Sequence, residues 1–454
     1  MAMYFELIST INSGEIDLAL KLSAIITVIF ALSLTLLLGQ TMEKPVLTLE
    51  QCLNLAFDHN PQLQSYQAAV EEAAARTVEV RSGFYPSVNF NAAAGRYESE
   101  DKTGSRDNYQ ATFSARYPVF QGFRTSASYK AADANYKANQ SQFLQEKSDL
   151  TLNVTEAYYR LLQTARLVQV AEQSLKRGQL HLDFANARFS AGLASRSDVL
   201  KTKVGLSNTN LALIVARNAQ LVAAGKLNVL IGRAAHSPIQ IKDNLEARPF
   251  SLFSDSLALR QNVDRLIEAA FRSRPDLHKI EQQLVSQQAA LRIARSDYFP
   301  TLSLEANYSY SGEATSDLQG SSYIGANISL PLFSGFSRPA QVAQEKWALQ
   351  SLSQQQQAVR HLVSLEVWNA FLEVKQASER IVDSQIFYEN SLENLHISEG
   401  EYREGVGSML DVIDAQTALV SAEKSHIEAL ADYQIALAAL ARAVGRDDIE
   451  EILK

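Results

Sequence analysis

Residues 402–416 read YREGVGSMLDVIDAQ. A glycine, followed by a serine and an aspartate at the spacing of a helix N-terminal capping box, predicts a tight turn between two long helices. Residues 188–200 read RFSAGLASRSDVL and repeat this pattern 213 residues earlier, so Gly192, Ser195 and Asp198 correspond to Gly405, Ser408 and Asp411. The chain is therefore predicted to be a doubled unit, with one such turn at the tip of each half.

Other motifs recur at nearly the same spacing. FYP at 84–86 returns as YFP at 298–300, YPVFQGF at 117–123 returns as LPLFSGF at 330–336, and IGR at 231–233 returns as VGR at 444–446. A register kept along most of each half predicts internal duplication. We therefore predict repeats at residues 46–233 and 263–446, a connector at residues 234–262 and a short tail at residues 447–454.

The composition excludes several functions. The chain has 42 Lys and Arg against 50 Asp and Glu, and its basic residues do not cluster, so no nucleic-acid partner is predicted. Its one cysteine, Cys52, allows no internal disulfide and no CxxC site. The seven histidines are scattered and no catalytic or phosphate-binding motif is present, so we predict neither an enzyme nor a cofactor.

An uncharged apolar run of 17 residues follows Lys21, at positions 22–38. It is slightly shorter than the roughly 20 residues that a membrane-spanning helix needs. Residues 1–41 are therefore predicted to be a removed signal peptide, with a retained membrane anchor as the alternative. No comparable run follows, so no later helix is expected to span a membrane.

Each repeat is predicted to contain the same series of elements. A helix comes first, then alternating apolar and polar residues that indicate a β-hairpin, then a long helix and a shorter return helix. The hairpin, long helix and return helix are predicted at residues 86–120, 124–189 and 196–231, and again at residues 300–333, 340–404 and 408–444. Each long helix would measure about 100 Å at 1.5 Å per residue, so it needs similarly long partners.

Four strands with one apolar face each are too few to close a barrel. Their predicted lengths are near the roughly 9 to 11 residues with which a tilted strand crosses an outer membrane. Because open sheet edges in hydrocarbon are costly, several chains must combine their strands. Three chains would give about 12 strands, whereas the eight strands of two chains would enclose only side chains. The predicted fold class is an α+β membrane protein, with a trimeric 12-stranded β-barrel continued by a tube of long helices.

This order of motifs resembles the TolC-like outer-membrane efflux protein family, and the resemblance covers residues 47–445. It implies a homotrimer in the outer-membrane lipid of a Gram-negative-type cell, with a helical barrel in the periplasm. It also implies the passive exit duct of a tripartite efflux or type I secretion system. The implied partners are a periplasmic adaptor protein and an inner-membrane pump of the RND or ABC type. The alternative is a periplasmic coiled-coil adaptor or scaffold without a pore, which would not need the four strands.

By the same resemblance, the periplasmic entrance is lined by Asp198, Tyr402, Asp411 and Asp414. The turn residues Gly192, Ser195, Gly405 and Ser408 would contact the adaptor. Asp411 and Asp414 share a helix face, and three copies would form a ring that attracts cations and whose mutual repulsion raises carboxyl pKa values. Asp198 and Asp411 also fit simple helix caps, an alternative that does not apply to Asp414.

The family's basic residue in this turn falls at Gly407, so Arg196 or Arg403 is a candidate substitute. The loops at residues 98–107 and 312–320 are expected outside the cell and both tip turns in the periplasm. The sequence does not distinguish drugs, metal ions, metabolites or proteins as substrate, because the resemblance assigns that choice mainly to the pump.

Overall fold

The computed structural model describes residues 46–97, 106–245 and 256–446. The elements in these ranges are β1 (Val46–Leu47), α1 (Leu49–His59), α2 (Pro61–Arg81), β2 (Ser87–Tyr97), β3 (Arg106–Gln121), α3 (Arg124–Ser190), α4 (Arg196–Leu230), β4 (Gln240–Ile241), α5 (Ser256–Ser273), α6 (Pro275–Ser296), β5 (Thr301–Gly312), β6 (Gln319–Ser329), α7 (Ser337–Glu404) and α8 (Met409–Val444). The predicted signal segment, the tail and the whole loop between β2 and β3 lie outside the described residues.

The boundary between α1 and α2 lies at Asn60. The side-chain oxygen of Asn60 accepts hydrogen bonds from the backbone N–H groups of Gln62 (3.0 Å) and Leu63 (3.1 Å), which caps α2. Pro61 takes the first helical position, where a missing N–H costs nothing. The Asn-Pro pair therefore ends one helix and starts the next.

The four long strands form one antiparallel sheet in the order β2-β3-β5-β6. Apolar residues oppose one another across the strands, as Phe90 opposes Phe113 and Phe113 opposes Tyr308. All three of these side chains are exposed, so no described residue covers this part of the apolar face. Among the described strands, β2 and β6 each pair on one side only, so both edges of the sheet are open in this part of the chain.

The second hairpin ends earlier than the predicted residue 333. β6 stops at Ser329, so Leu330 and Leu332 lie outside the strand to which their alternation assigned them. Pro331 explains this end, since proline has no N–H to donate to a strand ladder. In the first hairpin β3 continues through Pro118, but there the register with β5 shifts.

The long helices α3 and α7 each follow a residue with a left-handed backbone. Phe123 has φ +67 and Phe336 has φ +64, in equivalent positions of the two halves. α7 begins at Ser337, three residues before its predicted start, because the first turn of a helix tolerates a proline at position 339. The remaining bounds of α3, α4, α7 and α8 lie within one residue of the predicted ones.

The core of the helical part lies between α3, α7 and α8, which supply mainly small and β-branched side chains. Its buried residues include Val154, Ala171, Val363, Val367, Val374, Ala422, Ala429 and Ala436. At its border, Asp432 of α8 accepts hydrogen bonds from Arg160 of α3 (2.8 Å) and Arg380 of α7 (2.9 Å). One carboxylate therefore joins three helices.

The connector contains a short strand, β4, that pairs in parallel with β1. Val46 lies opposite Gln240 and Leu47 opposite Ile241. The next helix, α5, begins at Ser256, inside the range that the sequence predicted to be connector. No helix in the described ranges combines the length and the apolar character that crossing a membrane requires.

Candidate functional site at the helix tips

Each helical hairpin turns at a glycine with a left-handed backbone. Gly192 has φ +73 and Gly405 has φ +83, values that residues with a Cβ rarely adopt. At the second tip the N–H of Gly405 donates to the backbone oxygen of Tyr402 (3.2 Å), and that of Val406 donates to Glu401 (3.0 Å). These bonds satisfy the last carbonyl groups of α7 and let the chain reverse.

The aspartates that follow the turns are helix caps in the single chain. Asp198 accepts hydrogen bonds from the N–H (3.0 Å) and hydroxyl (2.9 Å) of Ser195, and Asp411 accepts the equivalent pair from Ser408 at 3.0 and 2.7 Å. Because these bonds stabilise the charged carboxylate, they lower the pKa of both aspartates. The sequence analysis predicted that repulsion within a ring of several chains raises carboxyl pKa values. The lowering described here is a property of the single chain.

Asp414 lies one turn after Asp411 and takes no part in the cap. Both carboxylates are exposed, whereas their neighbours Val412 and Ala415 are buried. Asp411 and Asp414 therefore share the uncovered face of α8. Asp198, on α4, belongs to a different helix and is partly buried.

Tyr402 is buried where the two tips meet, and Arg188, which the sequence analysis did not single out, contacts it. Arg188 Nη1 donates to the backbone oxygens of Tyr402 (3.0 Å) and Arg403 (3.1 Å), and its guanidinium lies 5.1 Å from the centre of the Tyr402 ring. The ring of Phe184 packs edge-on against Tyr402 at 5.7 Å. Burial raises the pKa of the Tyr402 hydroxyl, which has no hydrogen-bond partner in the described structure.

Within one chain, Arg188 is the cation that contacts Tyr402 at this junction. The substitute role of Arg196 or Arg403 stays a prediction. Arg403 contributes only its backbone oxygen to the contact, and Arg196 is an exposed first residue of α4. At position 407, a Cβ would lie 3.0 Å from the Cβ of Glu401, a tight contact that a larger residue would relieve only if Glu401 moved slightly. The one sequence signal for Arg188 is its place in the last turn of α3, where cations are favoured at many helix ends.

Two polar contacts join α3 to the second hairpin above the tips. Arg177 Nη2 lies 3.5 Å from Glu423 Oε2 on α8, and His181 Nε2 lies 3.6 Å from Glu399 Oε1 on α7. Burial lowers the pKa of His181 and raises that of Glu423. Sequence reasoning missed these pairs, because their members are more than 200 residues apart.

Among the described residues, no group of histidine, cysteine, aspartate and glutamate side chains is arranged to hold a metal ion. The chemistry available near the tips is thus that of exposed carboxylates, the partly buried ion pair of Arg177 with Glu423, and helix-end hydrogen bonds. Such groups can attract or repel ions and can hold helices together.

Comparison with known proteins gives matches along most of the chain. A family model described as outer membrane efflux protein matches residues 52–233 and again residues 266–446. The chain is 26% identical over 414 residues to Protein CyaE of Bordetella pertussis, which covers 89% of this chain and 86% of that protein. It is 24% identical over 413 residues to Outer membrane protein TolC of Escherichia coli, which covers 87% and 81%.

Two solved structures are similar in fold. The CmeC outer membrane channel of Campylobacter jejuni has a TM-score of 0.78 at 16% identity, covering 89% of each chain. The outer membrane protein VceC of Vibrio cholerae has a TM-score of 0.76 at 17% identity, covering 88% of this chain and 96% of that one. At such low identity these two likenesses concern the fold alone.

Proposed function

Because the chain belongs to the outer membrane efflux protein family, we propose that three copies assemble into the exit duct of an efflux or secretion system. The predicted TolC-like resemblance is confirmed, and so is the prediction of an outer-membrane efflux channel in place of an enzyme. The alternative of a scaffold without a pore has no support in this family. The homotrimer, the closed barrel and the periplasmic position of the helices belong to the proposal.

The observation that carries the proposal is the uncovered sheet. In the described ranges its apolar face is open, with Ile324 87% and Ile328 71% exposed, and no second strand pairs with β2 or β6. Unsatisfied backbone groups in hydrocarbon cost several kcal/mol each, so an open sheet cannot face lipid. Pairing of β6 with β2 of the next copy would remove both edges, and three copies would give a barrel of about 12 strands.

We also infer that the chain arose by duplication of one unit. Residues with left-handed backbone occur in pairs 213 positions apart, namely Gly122 and Gly335, Phe123 and Phe336, Gly192 and Gly405, and Gly232 and Gly445. The family model matches once in each half, which supports the same inference. Because each chain has two equivalent helical hairpins, a trimer would arrange six similar hairpins in a ring with nearly sixfold symmetry.

The tips of α7 and α8 would form the periplasmic entrance of the duct. Three copies of Asp411 and Asp414 would place six carboxylates around it, a ring of the kind that selects cations. Asp198, on the other helical hairpin of each chain, would add its negative charge to the same entrance. Tyr402 is buried, so its proposed part is to hold the end of α7 in place, which in turn positions these carboxylates.

The exposed turns would receive the partner proteins. Gly192, Ser195, Gly405 and Ser408 are all exposed at the ends of the hairpins, where a periplasmic adaptor could reach them. The adaptor would link the duct to an inner-membrane pump of the RND or ABC type, which selects and drives the substrate. The duct itself would conduct passively.

Conductance of the purified protein in planar bilayers tests the entrance. Asp411→Asn and Asp414→Asn should each weaken cation selectivity and weaken block by divalent or trivalent cations added from the tip side. Ser408→Ala is the matched control, since it removes the capping hydroxyl and keeps the Asp411 carboxylate. Asp198→Asn should have a smaller effect than either change on α8.

If the double Asn variant remains a folded trimer and keeps the selectivity and cation block of the parent, the carboxylates do not control the entrance. Asp411 would then be only a helix cap, and Asp414 only an exposed surface residue. If Ser408→Ala alters selectivity as much as Asp411→Asn, the cap and not the charge matters. A stable monomer in detergent, without conductance, would refute the duct itself.

A further inference from the structure

The polar face of the four-stranded sheet carries very few charges. It lies opposite the apolar face that includes Phe90 and Ile324, so in the proposed duct it would line the interior of the barrel. On this face of the described strands, the charged residues are Arg106, at the loop end of β3, and the pair Arg116 and Glu305. The other polar positions hold mainly hydroxyl and amide side chains.

Arg116 of β3 and Glu305 of β5 lie directly opposite each other. Nε of Arg116 is 3.5 Å from Oε1 of Glu305, which is longer than the roughly 2.7–3.2 Å of a protein hydrogen bond. The contact is therefore an ion pair without a short hydrogen bond. The planar fork of N–H donors on the guanidinium remains available to another acceptor.

The two partners are not equally accessible. The side chain of Arg116 is 64% exposed, whereas that of Glu305 is 28% exposed. The hydroxyl of Ser303, on the same face, donates to Oε1 of Glu305 at 3.4 Å. An ion that approaches this face therefore meets mainly the positive end of the pair.

The neighbours of the pair across the sheet are neutral. The row that contains the pair, and the next row toward the loops, run across the four strands as Ser87, Arg116, Glu305 and Gly325, and as Asn89, Ser114, Asn307 and Tyr323. In these two rows Glu305 is thus the one carboxylate that faces Arg116. A single partner on one side leaves the other side of the guanidinium free.

The pair lies inside the sheet and not at its loop end. Glu305 comes four residues after Thr301, where β5 begins. At about 3.3 Å per residue, the pair lies about 13 Å along the strand from the end that joins the helices. Three copies in the proposed trimer would place three such guanidinium groups at one level of the barrel.

We propose that Arg116 is a binding site for anionic groups, carboxylates or phosphates, inside the barrel, and that Glu305 positions it. The site rests on the proposed duct and adds a substrate preference to it. The carboxylates at the tips attract cations, whereas this level of the barrel favours anions. The fork of an arginine matches the geometry of a carboxylate or phosphate, so an exported ion with such a group would pause there.

Block of the conductance by citrate, in planar bilayers with the full-length protein, tests this site. Citrate is added to each compartment in turn. We expect it to block the parent, and Arg116→Gln to raise the blocking concentration roughly tenfold or more, because a hydrogen bond from a charged donor is lost. Glu305→Gln should lower the blocking concentration, because the guanidinium loses its competing carboxylate.

The opposite shifts distinguish a binding site from a purely structural pair. If the pair only held β3 to β5, either substitution would break the same contact and both variants would change in one direction. The matched control is Arg96→Gln, which removes an arginine from the apolar face, where it bonds Asp107 at 2.6 and 3.1 Å. It should be blocked like the parent. Arg116→Lys keeps the charge without the fork and should lie between the parent and Arg116→Gln.

The outcomes separate this site from the duct on which it rests. A parent that conducts but is not blocked by citrate would overturn the anion site and leave the duct standing. Shifts of Arg116→Gln and Glu305→Gln in one direction, or an equal shift in Arg96→Gln, would do the same. If Arg116→Gln forms no channels, unchanged block in both Arg116→Lys and Glu305→Gln refutes the site. If the parent does not conduct, the site and the proposed function fail together.

Discussion

Arg188, near the end of α3, donates a hydrogen bond to the backbone oxygen of Tyr402, near the end of α7, across 214 residues of sequence. The contact places a permanent positive charge against the C-terminal carbonyls of a helix, where the helix dipole favours it. It also brings the tips of two equivalent hairpins to one level. Any movement of one tip past the other has to break this bond.

Replacing Arg188 by alanine should loosen the junction of the tips. Hydrogen bonds to a charged donor contribute about 1.5–3 kcal/mol each, so amide exchange around Tyr402 and Gly405 should accelerate roughly tenfold or more. Hydrogen exchange followed by mass spectrometry would measure it. Arg403→Ala is the control, because only the backbone of Arg403 takes part. Equal exchange in the two variants would show that the contact does not hold the tip.

Two glycines with open space around them should respond oppositely to alanine. Gly192 has a left-handed backbone, so Gly192→Ala should lower stability by about 1 kcal/mol. Gly205 lies inside α4 without such strain, so Gly205→Ala should raise stability by roughly 0.5–1 kcal/mol. Apparent melting temperatures measured by circular dichroism should move in opposite directions. A shift in the same direction would contradict this account of the turn.

Acidification should weaken the helical part through His181. Burial holds the pKa of His181 below its ordinary value of 6.5, and nearby Arg177 acts in the same direction, whereas Glu399 opposes them. The group therefore contributes stability above pH 6.5 that is lost as the pH falls. His181→Gln should lose less melting temperature between about pH 7.5 and pH 5.5 than the parent does. The matched control is His236→Gln, which replaces an exposed histidine and leaves His181 in place.

Cysteine labelling on intact cells should separate the two ends of the molecule. Ser316→Cys, in the exposed turn between β5 and β6, should react with an impermeant maleimide, and Val406→Cys, at the second tip, should react only after the outer membrane is permeabilised. Cys52 is buried and burial raises its pKa to about 11, so the parent chain is the unlabelled control. Labelling of Val406→Cys alone would reverse the proposed orientation.

Much of the fold could be predicted because its signals are local. The turns at Gly192 and Gly405 need a left-handed backbone, the serine and aspartate three residues apart cap the next helix, and alternation along the chain sets the strand faces. Each of these depends on neighbours within a few residues. The end of β6 was missed by the alternation, although Pro331 carries a local reason for it.

The candidate site was predictable only in part. The exposed pair Asp411 and Asp414 follows from helix periodicity, since residues three apart share a face. The contact of Arg188 with Tyr402 does not, because position 401, which corresponds to Arg188 in the second half, holds a glutamate and no repeat signal marks the arginine. The partners of His181 and Arg177 could not be predicted either, because no repeat signal marks those contacts.

The sequence by itself determined the doubled plan, the lengths of the helices and the chemistry of the two turns, because backbone conformation and capping are decided by adjacent residues. Only the tertiary structure decided that β3 pairs with β5 to join the two hairpins, that Tyr402 is buried, and that Arg188 holds the end of α7. These features depend on which surfaces meet when distant segments pack. Which surfaces meet depends on all the tertiary contacts together, and a local sequence pattern carries no information about them.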